Sequence, residues 1–203
     1  MPRKSAFVTS LAAAAMAMLL LPTIPPAQSA GNQPPAPAEP QPAPAELQPG
    51  LAVRYYAEFF RHIDELIDWQ RYKEGKEGPP LPKLDYRSGE GNVLTSERDD
   101  AVGAEIIGLI HLDTPGTYTF NFRSNDGVRM WLGGVEVLDD PDVHADRFSD
   151  LAEVEIEEAG WYPLKILYFE RKNTSTLQLF WLKPDDQGSM AIVPAEAFAH
   201  LAG

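Results

Sequence analysis

The sequence contains no cysteine, so no disulfide staples the fold and no thiolate or cysteine-ligated zinc chemistry is available. Lipid attachment through an N-terminal cysteine is excluded on the same ground. Positive charge is scarce, with 17 Lys and Arg against 30 Asp and Glu and a formal net charge of −13. Removing residues 1–29 takes Arg3 and Lys4 with it and leaves 15 basic against 30 acidic residues, or −15. Such a surface repels phosphate backbones and anionic lipid, which disfavours nucleic-acid and membrane-surface partners. It suits neutral glycans, cation-bridged partners or plain solubility. Enzyme signatures are also missing: there is no Gly-x-Ser-x-Gly, no His-Glu-x-x-His and no glycine-rich phosphate loop. His62, His111, His144 and His200 are scattered along the chain. A non-catalytic protein is expected.

What is present begins with an export signal. Arg3 and Lys4 precede the apolar run Leu11 to Leu21, Pro25 and Pro26 break it, and Ala27-Gln28-Ser29 supplies small residues for cleavage after Ser29. The rival reading is a retained anchor, but a run of that length spans only about half the hydrocarbon layer. The expectation is a protein exported to the periplasm or cell exterior, with no membrane span once residues 1–29 are removed. Residues 30–49 form a Pro/Ala-rich linker in which residues 31–49 hold seven prolines and no aromatic residue. Polyproline geometry, at about 3.1 Å per residue, makes it a spacer of roughly 60 Å.

From residue 50 to 203 the pattern is that of one domain, long enough to bury about 68–70% of its unfolded surface. Leu51 to Tyr56 reads as a first strand, and Val53, Tyr56, Phe60, Ile63 and Ile67 recur at helical spacing, predicting a short helix within Ala57 to Trp69. Residues 71–100, rich in Gly, Pro and charge, read as a surface excursion. Beyond them apolar residues alternate with period two: Tyr118, Phe120 and Phe122; Val154 and Ile156; Leu177, Leu179 and Trp181. Leu164 to Phe169, apolar except at Lys165, suits a strand covered on both faces. Turn signals at Thr114-Pro115-Gly116, Asn125-Asp126-Gly127, Leu132-Gly133-Gly134 and Ala159-Gly160 separate these runs. The fold class is all-β, an antiparallel sandwich or barrel with a short helix near its N-terminus. No internal repeat is present.

Three blocks occur in order: Gly116-Thr-Tyr-Thr-Phe-Asn-Phe-Arg-Ser-Asn-Asp-Gly-Val-Arg-Met-Trp-Leu-Gly-Gly134, then Ala159-Gly-Trp-Tyr-Pro-Leu-Lys-Ile-Leu-Tyr-Phe-Glu170, then Leu177-Gln-Leu-Phe-Trp181. Together they resemble the anthrax protective antigen domain family, with the match running from about Leu51 to Pro194. The resemblance implies a β-sandwich with a non-catalytic role, appended in many members to glycosidases, toxins and adhesins, where several bind carbohydrate. In flocculin-type members two adjacent aspartates coordinate calcium, which grips sugar hydroxyls; that pair falls on Asn125 and Asp126, where the first is an amide. Calcium wants six to eight oxygens, so Asn125 and Asp126 as metal ligands need help, for which Asn173 offers an amide oxygen while Arg171 and Lys172 sit badly beside a cation. The same Asn125-Asp126-Gly127 tripeptide is also what a tight hairpin selects.

Asp139, Asp140, Asp142, Asp146 and Asp150 crowd around His144, but without the spacing of a calcium loop they read as a solvated acidic loop. Of the tryptophans, Trp161 and Trp181 belong to apolar strands and read as core, while Trp69 and Trp131 keep the option of stacking on a sugar. The expected ligand-binding set is therefore Asn125, Asp126, Gly127, Asn173 and Trp131. Its expected partner is a glycan or cell-envelope polymer, with calcium as an accessory. The alternative is a structural or protein-interaction module of the cell envelope.

Overall fold

Side chains that alternate along a strand can bury one face only against a second layer, and the molecule supplies it as a second sheet. The computed structural model describes residues 33–89, 91–186 and 188–202; the export-signal reading of residues 1–29 lies outside the described residues. In chain order the elements are β1 (Leu47–Pro49), β2 (Leu51–Ala57), α1 (Ile63–Gln70), β3 (Lys76–Leu81), β4 (Asp85–Ser88), β5 (Val102–Leu112), β6 (Gly116–Asn125) and β7 (Val128–Leu132). They continue with β8 (Val135–Asp140), β9 (Arg147–Phe148), β10 (Ala152–Ile156), β11 (Gly160–Glu170), β12 (Ser175–Leu182), β13 (Ala191–Ile192) and β14 (Phe198–Leu201). One sheet has the order β1-β14-β5-β11-β7-β8, with β2 on β5 and β3 on β2. The other has the order β10-β6-β12-β13, with β4 on β12 and β9 on β6. All pairings are antiparallel, and the result is an open sandwich rather than a closed barrel.

The core is the layer between the sheets. Tyr118, Phe120, Phe122, Leu177, Leu179 and Trp181 enter it from one side, and Ile106, Ile110, Tyr162, Leu164, Ile166 and Tyr168 from the other. β11 is covered on both faces, as its apolar run requires, because Leu167 and Phe169 point outward into a second cluster with Tyr56, Phe60, Ile63 and Leu66. That cluster is where α1 docks. The helix starts where the His62 ring nitrogen accepts the Asp64 N–H at 3.1 Å, and Asp64 and Glu65 lie favourably in its first turn.

Three readings change. First, the 71–100 excursion contributes β3 and β4 and four buried apolar residues, Leu81, Leu84, Val93 and Leu94. Pro79 and Pro80 are tolerated because β3 pairs only with β2 and leaves its other side open. Second, Asn125-Asp126-Gly127 is not a hairpin: β6 and β7 belong to different sheets, so the tripeptide crosses between layers. Gly127 answers to space rather than to backbone angle, since a Cβ there would lie 2.6 Å from the Phe169 ring and 2.7 Å from the Pro141 carbonyl oxygen. Leu132-Gly133-Gly134 is a true hairpin between β7 and β8, with φ of +53° and +83° at its glycines.

Third, the described part of the segment expected to be a spacer lies on the sandwich as a strap. Pro35 is buried, the Ala36 N–H donates to the Gly133 carbonyl at 3.3 Å, and the Ala38 N–H donates to the Trp161 carbonyl at 2.8 Å. The Gln41 side chain accepts the Trp161 N–H at 2.7 Å and donates to the Trp161 carbonyl at 3.0 Å. Proline-rich chain cannot make a core but can lie along one, because its backbone has few donors left to satisfy. Gln41→Ala should lower the unfolding free energy by about 1–2 kcal/mol through these lost bonds. An unchanged urea midpoint would mean that the strap is not held in solution.

Candidate functional site

One end of the sandwich gathers the turn after β6, the β8–β9 loop, the β11–β12 loop and the segment before β5. Asp126 ties them together. It is 4% exposed, and its two carboxylate oxygens accept the backbone N–H groups of His144 at 3.1 Å and Arg171 at 3.0 Å. Its own N–H donates to the Phe169 carbonyl at 3.0 Å, and the Phe169 N–H donates back to Gly127 at 3.0 Å. Burial pushes the Asp126 carboxyl above the ordinary carboxylate range, and the two N–H donors work against that rise. The Asn125 amide NH₂ donates to the Thr174 hydroxyl at 3.0 Å. Tyr168 reaches from the opposite sheet and donates to the Asn125 carbonyl at 2.5 Å.

The β11–β12 loop is in turn sewn to the segment before β5. The Ala101 N–H donates to the Arg171 carbonyl at 3.2 Å, and the Asn173 N–H donates to the Asp100 carboxylate at 2.6 Å. Leu94, Ala101 and Asn173 all take positive φ, of 54°, 57° and 74°. Two of these strained residues sit in the seam just described, and strain of this kind gathers where surroundings over-determine a functional geometry. Beside this end a cavity of about 340 Å³ is lined by Tyr55, Ala57, Gly78, Thr95, Arg98 and Val102. Tyr55 and Thr95 share a hydroxyl hydrogen bond of 2.8 Å there.

Beneath the loops lies Glu170, the last residue of β11. It is fully buried, neither carboxyl oxygen has a well-formed hydrogen bond among the described residues, and its pKa is pushed up to about 8 by desolvation and then by Asp100 and Asp126, with the nearby Ala101 N–H opposing the rise. No sequence pattern marks Glu170, because a Glu closing an apolar strand looks like the start of a loop.

Of the five residues read as ligand-binding, Asn125, Asp126, Gly127 and Asn173 come together at this end. Trp131 does not. It projects from the outer face of the β5-β11-β7 sheet beside α1, with the Arg129 and Lys165 cations each 5.8 Å from its ring. There it lines a separate shallow groove of about 470 Å³ with Ile67, Ile107 and Pro163. Trp181 is buried in the core, whereas Trp161 is half-buried against His111.

The acidic loop is paired rather than merely solvated. Asp140 meets Arg147 at 2.5 Å and His144 at 3.2 Å, Asp146 takes both ends of the Arg123 fork, and Asp139 holds Arg129. Among the described residues no group of three or more His, Asp or Glu is arranged to hold a metal ion. At the turn itself the donors fit a hard cation only in part. Asp126 supplies the one full negative charge with each oxygen already holding an N–H, and Asn125 and Asn173 add neutral amide oxygens.

A protein-family model described as the PA14 domain matches residues 82–193. The anti-sigma-I factor RsgI3 of Acetivibrio thermocellus is 27% identical over 107 residues, which are 52% of this chain and 16% of that protein. The chain thus spans only a small part of that relative. Among solved structures, the fold is similar to the PA14 sugar-binding domain of an RTX adhesin, at 18% identity and TM-score 0.60, covering 75% of this chain and 98% of that one. It is also similar to the epithelial adhesin 9 A domain of Candida glabrata in complex with Galβ1-4GlcNAc, at 12% identity and TM-score 0.63, covering 83% and 97%. At such identities the likeness is one of fold.

Proposed function

The chain belongs to the PA14 domain family, and on that premise we propose that it is a non-catalytic, exported binding module. It takes a neutral glycan at the loop end around Asn125 and Asp126. The observation that carries this reading is the convergence on one buried carboxylate, Asp126, of the N–H groups of two separate loops. That arrangement presents the amides of Asn125 and Asn173 and the Thr174 hydroxyl on a rigid base, as sugar hydroxyl recognition requires. The net negative charge suits an uncharged saccharide, and the solved neighbours include domains named as sugar-binding or solved with a saccharide. Among the described residues no helix is long and apolar enough to cross a membrane. Residues 1–29 supply the export signal in this reading.

Calcium enters as an assisting ion. The single charge at the turn makes a weak site, so the reading predicts dependence at millimolar rather than submicromolar calcium. The test is a glycan array run with calcium and again with a chelator, followed by titration of Asp126→Ala and wild type against the best saccharide. Affinity should fall at least tenfold in Asp126→Ala. Equal affinity in the two proteins would remove this turn from the site. A second reading, a protein-interaction module of the cell envelope, is favoured by the match to part of an anti-sigma factor. A blank array, no calcium shift in melting temperature and capture of one defined envelope protein would establish it instead.

A further inference from the structure

We propose that the open face of the β10-β6-β12-β13 sheet carries a second carbohydrate contact. It is an aromatic platform made by Phe148 and Phe180 on the outer face of the strands, beside rather than within the Asn125–Asp126 turn. The proposal rests on the preceding reading for its ligand class only. Strand alternation sends Tyr118, Phe120, Phe122, Leu177, Leu179 and Trp181 inward, so their neighbours Asn121, Arg123, Gln178 and Phe180 face out. An outward face is expected to be polar, yet Phe148 is 53% exposed and Leu151 64% exposed. The two-residue strand β9 exists here only as the pairing of Phe148 with Arg123 and Arg147 with Ser124, and this holds the Phe148 ring over the sheet. Its centroid lies 5.5 Å from that of Phe180, at an interplanar angle of 64°.

Around the ring pair the planar polar groups are already pinned. Arg123 lies 5.6 Å from the Phe148 ring and donates to both oxygens of Asp146 at 2.8 and 2.9 Å. The Gln178 amide donates to Asp85 at 2.6 Å. Asn121 stands directly across from Phe180; it is 8% exposed, and its amide oxygen has no donor among the described residues. That acceptor is closed to solvent, so the polar groups open to a ligand here are those of Arg123, Asp146 and Asp85.

Saccharides match this combination. A sugar ring has an apolar C–H face that lies on an aromatic ring and a rim of hydroxyls that pair with amide, guanidinium and carboxylate groups. The apolar part of the face is a few side chains set among Asp85, Asp146 and Glu153, smaller than a stable protein interface needs. Lys83 pairs with Asp85, and Arg87 and Arg123 with Asp146, so charges at the face are balanced locally, which suits a neutral glycan chain lying across the strands.

The test uses the full chain in native gels containing galactomannan, xyloglucan, β-1,3-glucan or arabinogalactan, with wild type, Phe148→Ala, Phe148→Trp and Asp126→Ala side by side. At least one polymer should retard the wild type. Phe148→Ala should then weaken retardation at least fivefold at an unchanged melting temperature, with Phe148→Trp restoring it and Asp126→Ala keeping a residual part. Retardation by none of the polymers, or equal retardation of Phe148→Ala and wild type, overturns the platform. Loss in Asp126→Ala with full retention in Phe148→Ala overturns it while leaving the loop-end reading intact. Self-association in sedimentation that vanishes in Phe148→Ala, without retardation, would assign the face to a second copy and overturn it as well.

Discussion

Replacing Trp181 by alanine should lower the unfolding free energy by about 3–5 kcal/mol, the range for emptying an aromatic site in a packed core. Trp181 is 8% exposed on the inner face of β12, with its ring 5.9 Å from that of Tyr118 and its backbone opposite Phe120. Those rings belong to the layer both sheets share, so truncation leaves a void that neither sheet can close without dragging its partners. For a domain of this size about 1 kcal/mol moves the melting temperature by about 2–4 °C, so a fall of at least 6 °C is expected. A loss below about 1 kcal/mol in urea unfolding would place the ring in solvent and break the sandwich assignment.

Glu170→Gln should raise stability by about 1–3 kcal/mol near pH 9 and leave it unchanged near pH 4. The folded-state pKa of Glu170 is about 8, raised first by desolvation and then by Asp100, Asp126 and Asp99, against an ordinary value of 4.5. A carboxyl with a raised folded pKa holds its proton more tightly in the native state than in the unfolded one. Its stabilising contribution is whole below the unfolded pKa and is lost as pH rises from about 4.5 to about 8, the span set by those two values. Glutamine does not titrate and keeps the uncharged condition throughout. The magnitude is set below the ceiling implied by the shift, because an ionised Glu170 would draw water into the loop end. Urea midpoints at pH 4, 6 and 9 for both proteins decide the matter. Parallel curves across that range would mean that Glu170 finds a partner in solution.

Much of the core is legible in the sequence. Tyr118, Phe120, Phe122, Val154, Ile156, Leu177, Leu179 and Trp181 are all buried, because period two decides which side chains share a face. The helix was legible in existence but not in extent: Val53 and Tyr56 fit its spacing yet lie on β2, and only Ile63 and Ile67 of that series are in α1. Asn125-Asp126-Gly127 also fits a hairpin in sequence, for a different reason. A turn inside one sheet and a crossing between two sheets call for the same small polar residues, and only the partners of β6 and β7 tell them apart.

The site divides in the same way. Motif and resemblance name Asn125, Asp126, Gly127 and Asn173, which the fold brings to one end, but they do not mark Asp126 as the anchor of two loops, since the N–H groups of His144 and Arg171 leave no trace in a side-chain pattern. Trp131 joins them in sequence because alternation says that a residue faces out without saying out of which sheet. Phe148 was passed over because a two-residue strand is too short to show a period.

By itself the sequence determined the all-β class, the inward rows, the absence of thiol chemistry and the acidic surface. Each of these follows from composition or from the relation of a residue to neighbours two or four places away. Only the tertiary structure decided which strands share a sheet, that the proline segment is a strap, that the Glu170 carboxyl is buried beneath the loops and that Phe148 meets Phe180. Those facts depend on backbone pairing between segments far apart along the chain, and backbone groups are the same in every residue but proline, so side-chain order carries little record of their partners.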